Sequence, residues 1–288
     1  SSSTPLFVCV DEEGGDVARI GNNPKMKTDT FPSMEEIGKT EDADYVYYMA
    51  ETIGSQIGEL GFNVDFAPVA DVKTTEMNSE IGTRSFGDDP KKVAEYVSAY
   101  VKGLESQNIC STLKHFPGQG SSSGDTHQGS VDIDSSISKL RQIDFVPFVN
   151  GMDAGADFVM ISHISVSRVT ETSEPASLSN LIMTTILREE LNYSGLIITD
   201  AFDMASITDK YSAGDAAVKS FEAGADIILM PEDLPGAFDA VLKRVQSGKI
   251  TEKRLNDTVQ RILKLKFQKG IMTLEDLSLI HISEPTRR

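Results

Sequence analysis

Two cysteines are too few to frame this 288-residue chain with disulfides, and Cys9 and Cys110 each sit inside a short apolar run. They read as buried thiols. No clustered Cys/His spacing of a metal site accompanies them, so neither a metal nor an organic cofactor is expected. Cations are also scarce: 27 Lys and Arg face 44 Asp and Glu, a net charge of −17. A surface of that sign repels a duplex or an anionic membrane, which argues against nucleic-acid partners. No apolar run is long enough to span a membrane, and no secretory signal is visible. The compartment is left open, as is the oligomeric state. A dinucleotide-type GxGxxG after a strand is missing, as is a P-loop. Where a phosphate-binding turn would need glycine, the chain has Asp11-Glu12-Glu13 ahead of Gly14-Gly15, and three carboxylates would repel a phosphate.

What is present is an alternation. Short apolar runs at Pro5–Val10, Phe62–Ala70, Asn108–Leu113, Phe158–Ile161, Gly195–Thr199 and Asp226–Met230 read as strands. Between and after them lie amphipathic stretches of helical period at Asp42–Leu60, Pro90–Gln107, Lys139–Ala154, Ser179–Asn192, Asp215–Ala223, Leu234–Ser247 and Glu252–Lys269. Asp89 is placed to cap the second of these, with Pro90 at its first position. Alternating strands and helices with near-continuous apolar strands predict an α/β fold with a parallel sheet covered on both faces. Polar residues follow nearly every strand: Asp11, Asp71, Lys114-His115, His163 and Asp200. That distribution favours a (β/α)8 TIM-type barrel over a doubly wound sheet, whose polar residues gather at one switch point. Only six strands are clear, so the expected barrel is one domain over residues 1–270 lacking its first strand-helix unit. Residues 271–288, with His281, carry no matching period and are left out of the fold.

The densest chemistry lies at Lys114-His115-Phe116-Pro117-Gly118 and Gly124-Asp125-Thr126-His127, which hold two of the four histidines. This is read as a site loop following a strand. Asp200, after Leu196-Ile197-Ile198-Thr199, is a candidate nucleophile held at a strand end, or a helix N-cap. Asp125 and His127 form a candidate acid/base pair, because a carboxylate orients an imidazole whose pKa lies near neutrality. The Ser121-Ser122-Ser123-Gly124 stretch would let their loop move.

Five segments and one arginine occur in a telling order: Asp11-Glu12-Glu13-Gly14-Gly15, Arg19, Asn63 through Val72, Ile81-Gly82-Thr83-Arg84-Ser85-Phe86, Lys114 through Gly118, and Thr199 through Met204. Together they resemble family 3 glycoside hydrolases, in particular bacterial β-N-acetylhexosaminidases that act on cell-wall muropeptides. The resemblance runs from about Pro5 to Gly270. It implies a retaining exo-β-N-acetylglucosaminidase acting on small carbohydrate substrates, with Asp200 as nucleophile, His127 as acid/base and Asp125 as its partner. It further implies that Asp11, Arg19, Arg84, Lys114, His115 and His163 contact the sugar. The chain departs from the family pattern at Gln119, where histidine is common, and at Asp16. The alternatives are a glycoside phosphorylase or β-glucosidase on the same scaffold, or a sugar-binding fragment without catalysis.

Overall fold

The computed structural model describes residues 4–75, 77–78, 80–122, 124–127 and 129–276. Residues 277–288, including His281, lie outside the described residues, as do Ser123 and Gln128 of the site loop. The chain runs β1 (Cys9–Val10), β2 (Glu12–Gly14), β3 (Val17–Ala18), α1 (Met34–Gly38), α2 (Ala43–Glu59), β4 (Val64–Asp65), α3 (Pro90–Ser106), β5 (Thr112–Phe116), α4 (Ile137–Gln142), α5 (Phe145–Asp153), β6 (Phe158–Ile161) and α6 (Ser167–Thr170). A π-wound helix, Leu181–Glu190, then leads to β7 (Leu196–Thr199), α7 (Ala205–Thr208), α8 (Ala213–Ala223), α9 (Leu234–Gln246) and α10 (Glu252–Gln268). The expected α/β alternation is present.

The strands are parallel neighbours in chain order. β1 pairs with β4, Val64 and Val69 bridge to Cys110 and Lys114, β5 pairs with β6, and β6 with β7. The run expected as a sixth strand forms no ladder among the described residues but joins β7 through the bridge Ile198 to Ile227 and backbone hydrogen bonds such as Thr199 N to the Ile227 carbonyl (3.1 Å). Side chains alternate across this sheet. Phe158 and Met160 of β6 enter an inner cluster with Val64, Cys110, Ile198 and Leu265, and Val159 and Ile161 face the helices. Phe7, Cys9, Ile227 and Leu229, from the first and last strand segments, border the same inner cluster. The Phe7 ring meets Phe158 edge-on at 5.3 Å. Three strand spacings would separate those two segments by roughly 14 Å in a flat sheet, so the sheet is strongly curled. Among the described residues no ladder joins its first and last segments.

Several expectations need correction. Lys114 and His115 are not in a loop beyond a strand. They lie inside β5 and are buried, because Asn108 takes a left-handed turn (φ 58°) after α3 and the strand begins later. The pairing of β5 with β6 shifts register between Leu113 and Phe116, which breaks the side-to-side alternation where Lys114 and His115 sit. The helix expected over Lys139–Ala154 is two helices, broken at Ile143 and Asp144. An antiparallel hairpin, β2–β3, occupies residues read only as a carboxylate run. Ile271 and Met272, placed in the tail, pack back onto the body. Cys110 is buried as expected, whereas Cys9 is only half-buried, and burial beside Asp11 pushes its pKa up to about 12.

The cap expected at Asp89 holds: its carboxylate accepts from the amides of Lys91 (2.8 Å) and Lys92 (3.3 Å). Asp42 caps α2 in the same way, accepting from the Tyr45 amide (3.0 Å). α2 and α3 cross closely at Gly103, where an added Cβ would stand 2.5 Å from the Tyr47 carbonyl oxygen and 2.6 Å from Ala50 Cβ. Gly103→Ala is expected to push the helices apart and cost about 1–3 kcal/mol. A lower urea midpoint with an unchanged slope would show this, and an unchanged midpoint would refute it.

Candidate active site

The site is built from the carboxyl ends of the strands and the β2–β3 hairpin. Glu12 and Glu13 are adjacent, and each has its own task. The Glu12 carboxylate accepts from the amides of Ile20 and Gly21 (both 2.7 Å) and closes the hairpin. The Glu12 amide donates to Asp65 Oδ1 (3.0 Å), and the Tyr100 hydroxyl of α3 donates to the carbonyls of Glu12 and Glu13. The Glu13 carboxylate, 2 % exposed, then meets two cations. Arg84 donates to it through Nε (2.9 Å) and Nη2 (2.7 Å), and Lys114 Nζ lies 2.6 Å from its Oε1. Lys114 also donates to Asp11 Oδ1 at 2.8 Å. Burial alone would raise the Glu13 pKa, but Lys114 and Arg84 overcome it and lower the value to about 2. Burial would likewise lower Lys114, yet Glu13 and Asp11 leave it raised. The cluster is therefore ionised at neutral pH.

His115 is held from behind. Asp71 Oδ2 receives its amide (3.1 Å) and lies 2.7 Å from Nδ1, and Asp71 Oδ1 receives the Gln119 amide (2.6 Å). In the tautomer whose Nδ1–H donates to Asp71, Nε2 is the acceptor, 3.4 Å from Arg84 Nη2. Gln119, the departure from the family pattern, is a buried scaffold residue. Its Oε1 accepts from Ser162 Oγ (2.8 Å), and its carbonyl accepts from Asn78 Nδ2 (2.7 Å). Asp16, the other departure, accepts from the Thr83 hydroxyl and ties the hairpin to the turn carrying Arg84.

Asp200 leaves β7 half-buried. Its amide donates to the Ile161 carbonyl (2.9 Å), and its Oδ1 accepts from the Ala201 amide (2.8 Å). Oδ2 has no hydrogen bond to a described residue. Burial would raise the Asp200 pKa, but His163, His115, the Ala201 amide and Lys114 together hold it below the usual carboxylate value. His163 does not line the cleft. It is buried behind Asp200, with Nε2 2.9 Å from the Ala201 carbonyl and Nδ1 2.7 Å from Ser177 Oγ. Burial lowers its pKa more than Asp200 raises it.

The Asp125–His127 segment stands over the same cleft. His127 is 63 % exposed, with Nδ1 3.0 Å from Asp125 Oδ1 and 3.4 Å from Glu80 Oε1. The Glu80 carboxylate is fixed by the Thr126 amide (2.8 Å) and hydroxyl (2.7 Å).

A cavity of about 380 Å³ brings together Asp11, Arg19, Arg84, Lys114, His115, His127 and Asp200, with Glu13, Glu80 and Asp203 beside them. Phe66, Met160, Met204 and Leu229 give it apolar wall. A hollow of the same size lies against Asp157, Tyr193 and Arg261 before β6 and β7, so volume does not single out the site. The convergence of residues far apart in sequence does. Asp125 and His163 support lining residues from behind. Glu13 and Glu80 escaped the sequence reading. Glu13 was taken for part of a phosphate-repelling run, and Glu80 stands one residue before the Ile81–Phe86 segment without a period to mark it.

The family model "Glycosyl hydrolase family 3 N terminal domain" matches residues 1–265. The chain belongs to glycosyl hydrolase family 3. Among family 3 relatives it is 36 % identical to Beta-hexosaminidase A of Pseudoalteromonas piscicida, with 92 % of this chain and 48 % of that protein covered. It is 35 % identical to Beta-hexosaminidase LpqI of Mycobacterium tuberculosis, with 91 % and 68 % covered. The structure of a family 3 β-N-acetylglucosaminidase from Paenibacillus sp. str. FPU-7 superposes with a TM-score of 0.89 at 33 % identity, covering 96 % of this chain and 55 % of that one. The chain thus spans about half the length of two of these proteins.

In this family 3 chain, Glu13→Gln would leave two buried cations short of a counter-charge. Stability is expected to fall by about 3–5 kcal/mol in chemical denaturation at neutral pH. The Glu13 pKa in the folded protein is depressed from 4.5 to about 2, so its stabilisation is complete above pH 4.5 and fades as pH falls toward 2. The melting temperature of Glu13→Gln should therefore depend less on pH across that window than the parent's. Parallel profiles would sink the assignment.

Proposed function

We propose that this chain is a retaining exo-β-N-acetylglucosaminidase. It would release terminal β-linked N-acetylglucosamine from small carbohydrates such as cell-wall-derived muropeptides. The observation that carries the reading is the cleft itself. An ionised Asp200, whose Oδ2 has no hydrogen bond to a described residue, shares it with an exposed His127 and with Asp11, Lys114, Arg84, His115 and Arg19 as candidate sugar-hydroxyl partners. The β-hexosaminidase and β-N-acetylglucosaminidase relatives support the sugar class. The proposed scaffold is a (β/α)8-type barrel, supported by sequential parallel strands and by an inner cluster that both end segments border.

In this mechanism the terminal sugar seats against Asp11, Lys114, Arg84, His115 and Arg19. Carboxylate and guanidinium groups suit vicinal hydroxyls because each offers two parallel hydrogen-bonding positions. Asp200 attacks the anomeric carbon while the glycosidic C–O bond breaks. His127, oriented by Asp125, gives its Nε2 proton to the leaving oxygen. A glycosyl ester on Asp200 results. His127 then takes a proton from water, which attacks the same carbon from the face the aglycone left, and the configuration is retained. Asp200 is the nucleophile because its neighbours keep it anionic without a proton to lose first.

Asp200→Asn is expected to lower kcat by about 10⁴-fold or more, with sugar binding nearly unchanged. His127→Ala should harm substrates with poor leaving groups far more than activated aryl glycosides, since only the former need a proton on the departing oxygen. Both variants would be assayed on a chitobiose-type disaccharide and a nitrophenyl β-N-acetylglucosaminide. Near-normal turnover by Asp200→Asn, or equal losses on the two substrates for His127→Ala, would overturn the respective role. Added phosphate should yield no sugar 1-phosphate; its appearance would make the chain a phosphorylase.

A further inference from the structure

We propose that Asp144 is a positioning residue that carries a proton in the working enzyme, so that Asp71 alone holds negative charge beneath the turn presenting His115. Its effect on the reaction rests on His115 being a sugar contact, as proposed above. Asp144 stands at the break between α4 and α5. An aspartate at a helix start ordinarily caps it, yet this side chain makes no cap hydrogen bond. The residue is 1 % exposed, and neither carboxyl oxygen has a hydrogen-bond partner.

The carboxyl lies against Gly118, where an added Cβ would stand 2.5 Å from Asp144 Cβ and 2.8 Å from its Oδ1. Gly118 belongs to the turn His115–Gln119, which closes through the Gly118 amide on the His115 carbonyl (2.8 Å). Asp71 grips both ends of that turn, at the His115 amide and ring and at the Gln119 amide. Two buried carboxyls therefore flank one turn. Asp71 has donors on both oxygens, and Asp144 has none. A buried carboxylate without a donor is costly, so the charge settles on Asp71 and the proton on Asp144. Burial first, and Asp71 second, push Asp144 up to about 7, and the exposed Lys139 of α4 offsets this only in part. The turn itself brings His115, already bonded to Asp71, and the first turn of α5, Phe145 to Phe148, brings no charge.

Loss of the proton above neutrality sets a second negative charge against Asp71 across Gly118. Moving the turn relieves the repulsion, and His115 moves with it, along with its 3.4 Å contact to Arg84. The grip on the sugar weakens. Asp200 and His127 belong to other segments, so the loss falls on binding more than on turnover.

The test compares the parent with Asp144→Asn, similar in shape and always uncharged, from pH 4 to 9. Asp144→Ser is a second uncharged variant expected to behave alike. The folded-state pKa of Asp144 is raised from 3.8 to about 7, so the protonated group's contribution to stability is complete below pH 3.8 and is lost as pH rises through 7. The variants' melting temperature relative to the parent's should therefore climb by several degrees between pH 4 and 7 and then level off. The inhibition constant of N-acetylglucosamine, read against the nitrophenyl glycoside, should rise up to about tenfold for the parent from pH 7 to 8 and stay flat in the variants, with kcat profiles alike. Parallel melting profiles overturn the proton on Asp144, whether or not the chain is active. A climbing melting difference with parallel inhibition profiles overturns the positioning role. Absence of sugar binding in parent and variants at every pH overturns the hexosaminidase reading and the positioning role with it, and the melting profiles still decide the proton.

Discussion

The buried pairing of Glu13 with Lys114 and Arg84 is the interaction on which the rest of the site depends. A lysine at 2 % exposure is tolerable only with its charge matched, and here two carboxylates match it. The triad joins three distant stretches of chain: the β2–β3 hairpin, the turn carrying Arg84, and β5. Arg84 carries the constraint on to His115, and Lys114 carries it to Asp11 and to the field around Asp200. A cluster this buried contributes less net stability than its short distances suggest, because desolvation offsets much of the attraction. What it supplies is a single geometry for the groups facing a sugar.

The cleft has a rigid half and a looser half. Asp200, His115 and Lys114 sit on or directly after strands whose neighbours pair on both sides, with backbone held by Ile161, Asp71 and Ala201. His127 is attached through hydrogen bonds to Asp125 and, by way of Thr126, to Glu80, on a segment with glycine at 124 and 129. The division suits the two-step displacement proposed above. In that proposal the nucleophile must hold a fixed attack line, whereas the acid must follow an aglycone of variable shape and then admit water.

Burial divides two of the histidines. His163 is buried and hydrogen-bonded at both nitrogens, with its pKa pushed down, and serves to place the Ala201 backbone behind Asp200. His127 faces solvent between two carboxylates.

The sequence by itself determined the alternation of strands and helices, their caps, and the identity of nearly every cleft residue. Those signals are local: hydrophobic period, an Asp before a Pro, an aspartate after Leu196–Thr199. Short motifs in a fixed order then pointed to the family and to Asp200 as its proposed nucleophile. Tertiary structure decided what depends on meeting partners far along the chain. It drew Lys114 and His115 into β5, because Asp71 and Glu13 stand ready to satisfy them there. It gave Glu12 and Glu13 opposite tasks, because a hairpin turns adjacent side chains to opposite faces. It moved His163 and Asp125 behind the wall and brought Glu80 forward. No spacing rule could announce these outcomes, since each follows from curling a parallel sheet until its carboxyl ends share one hollow.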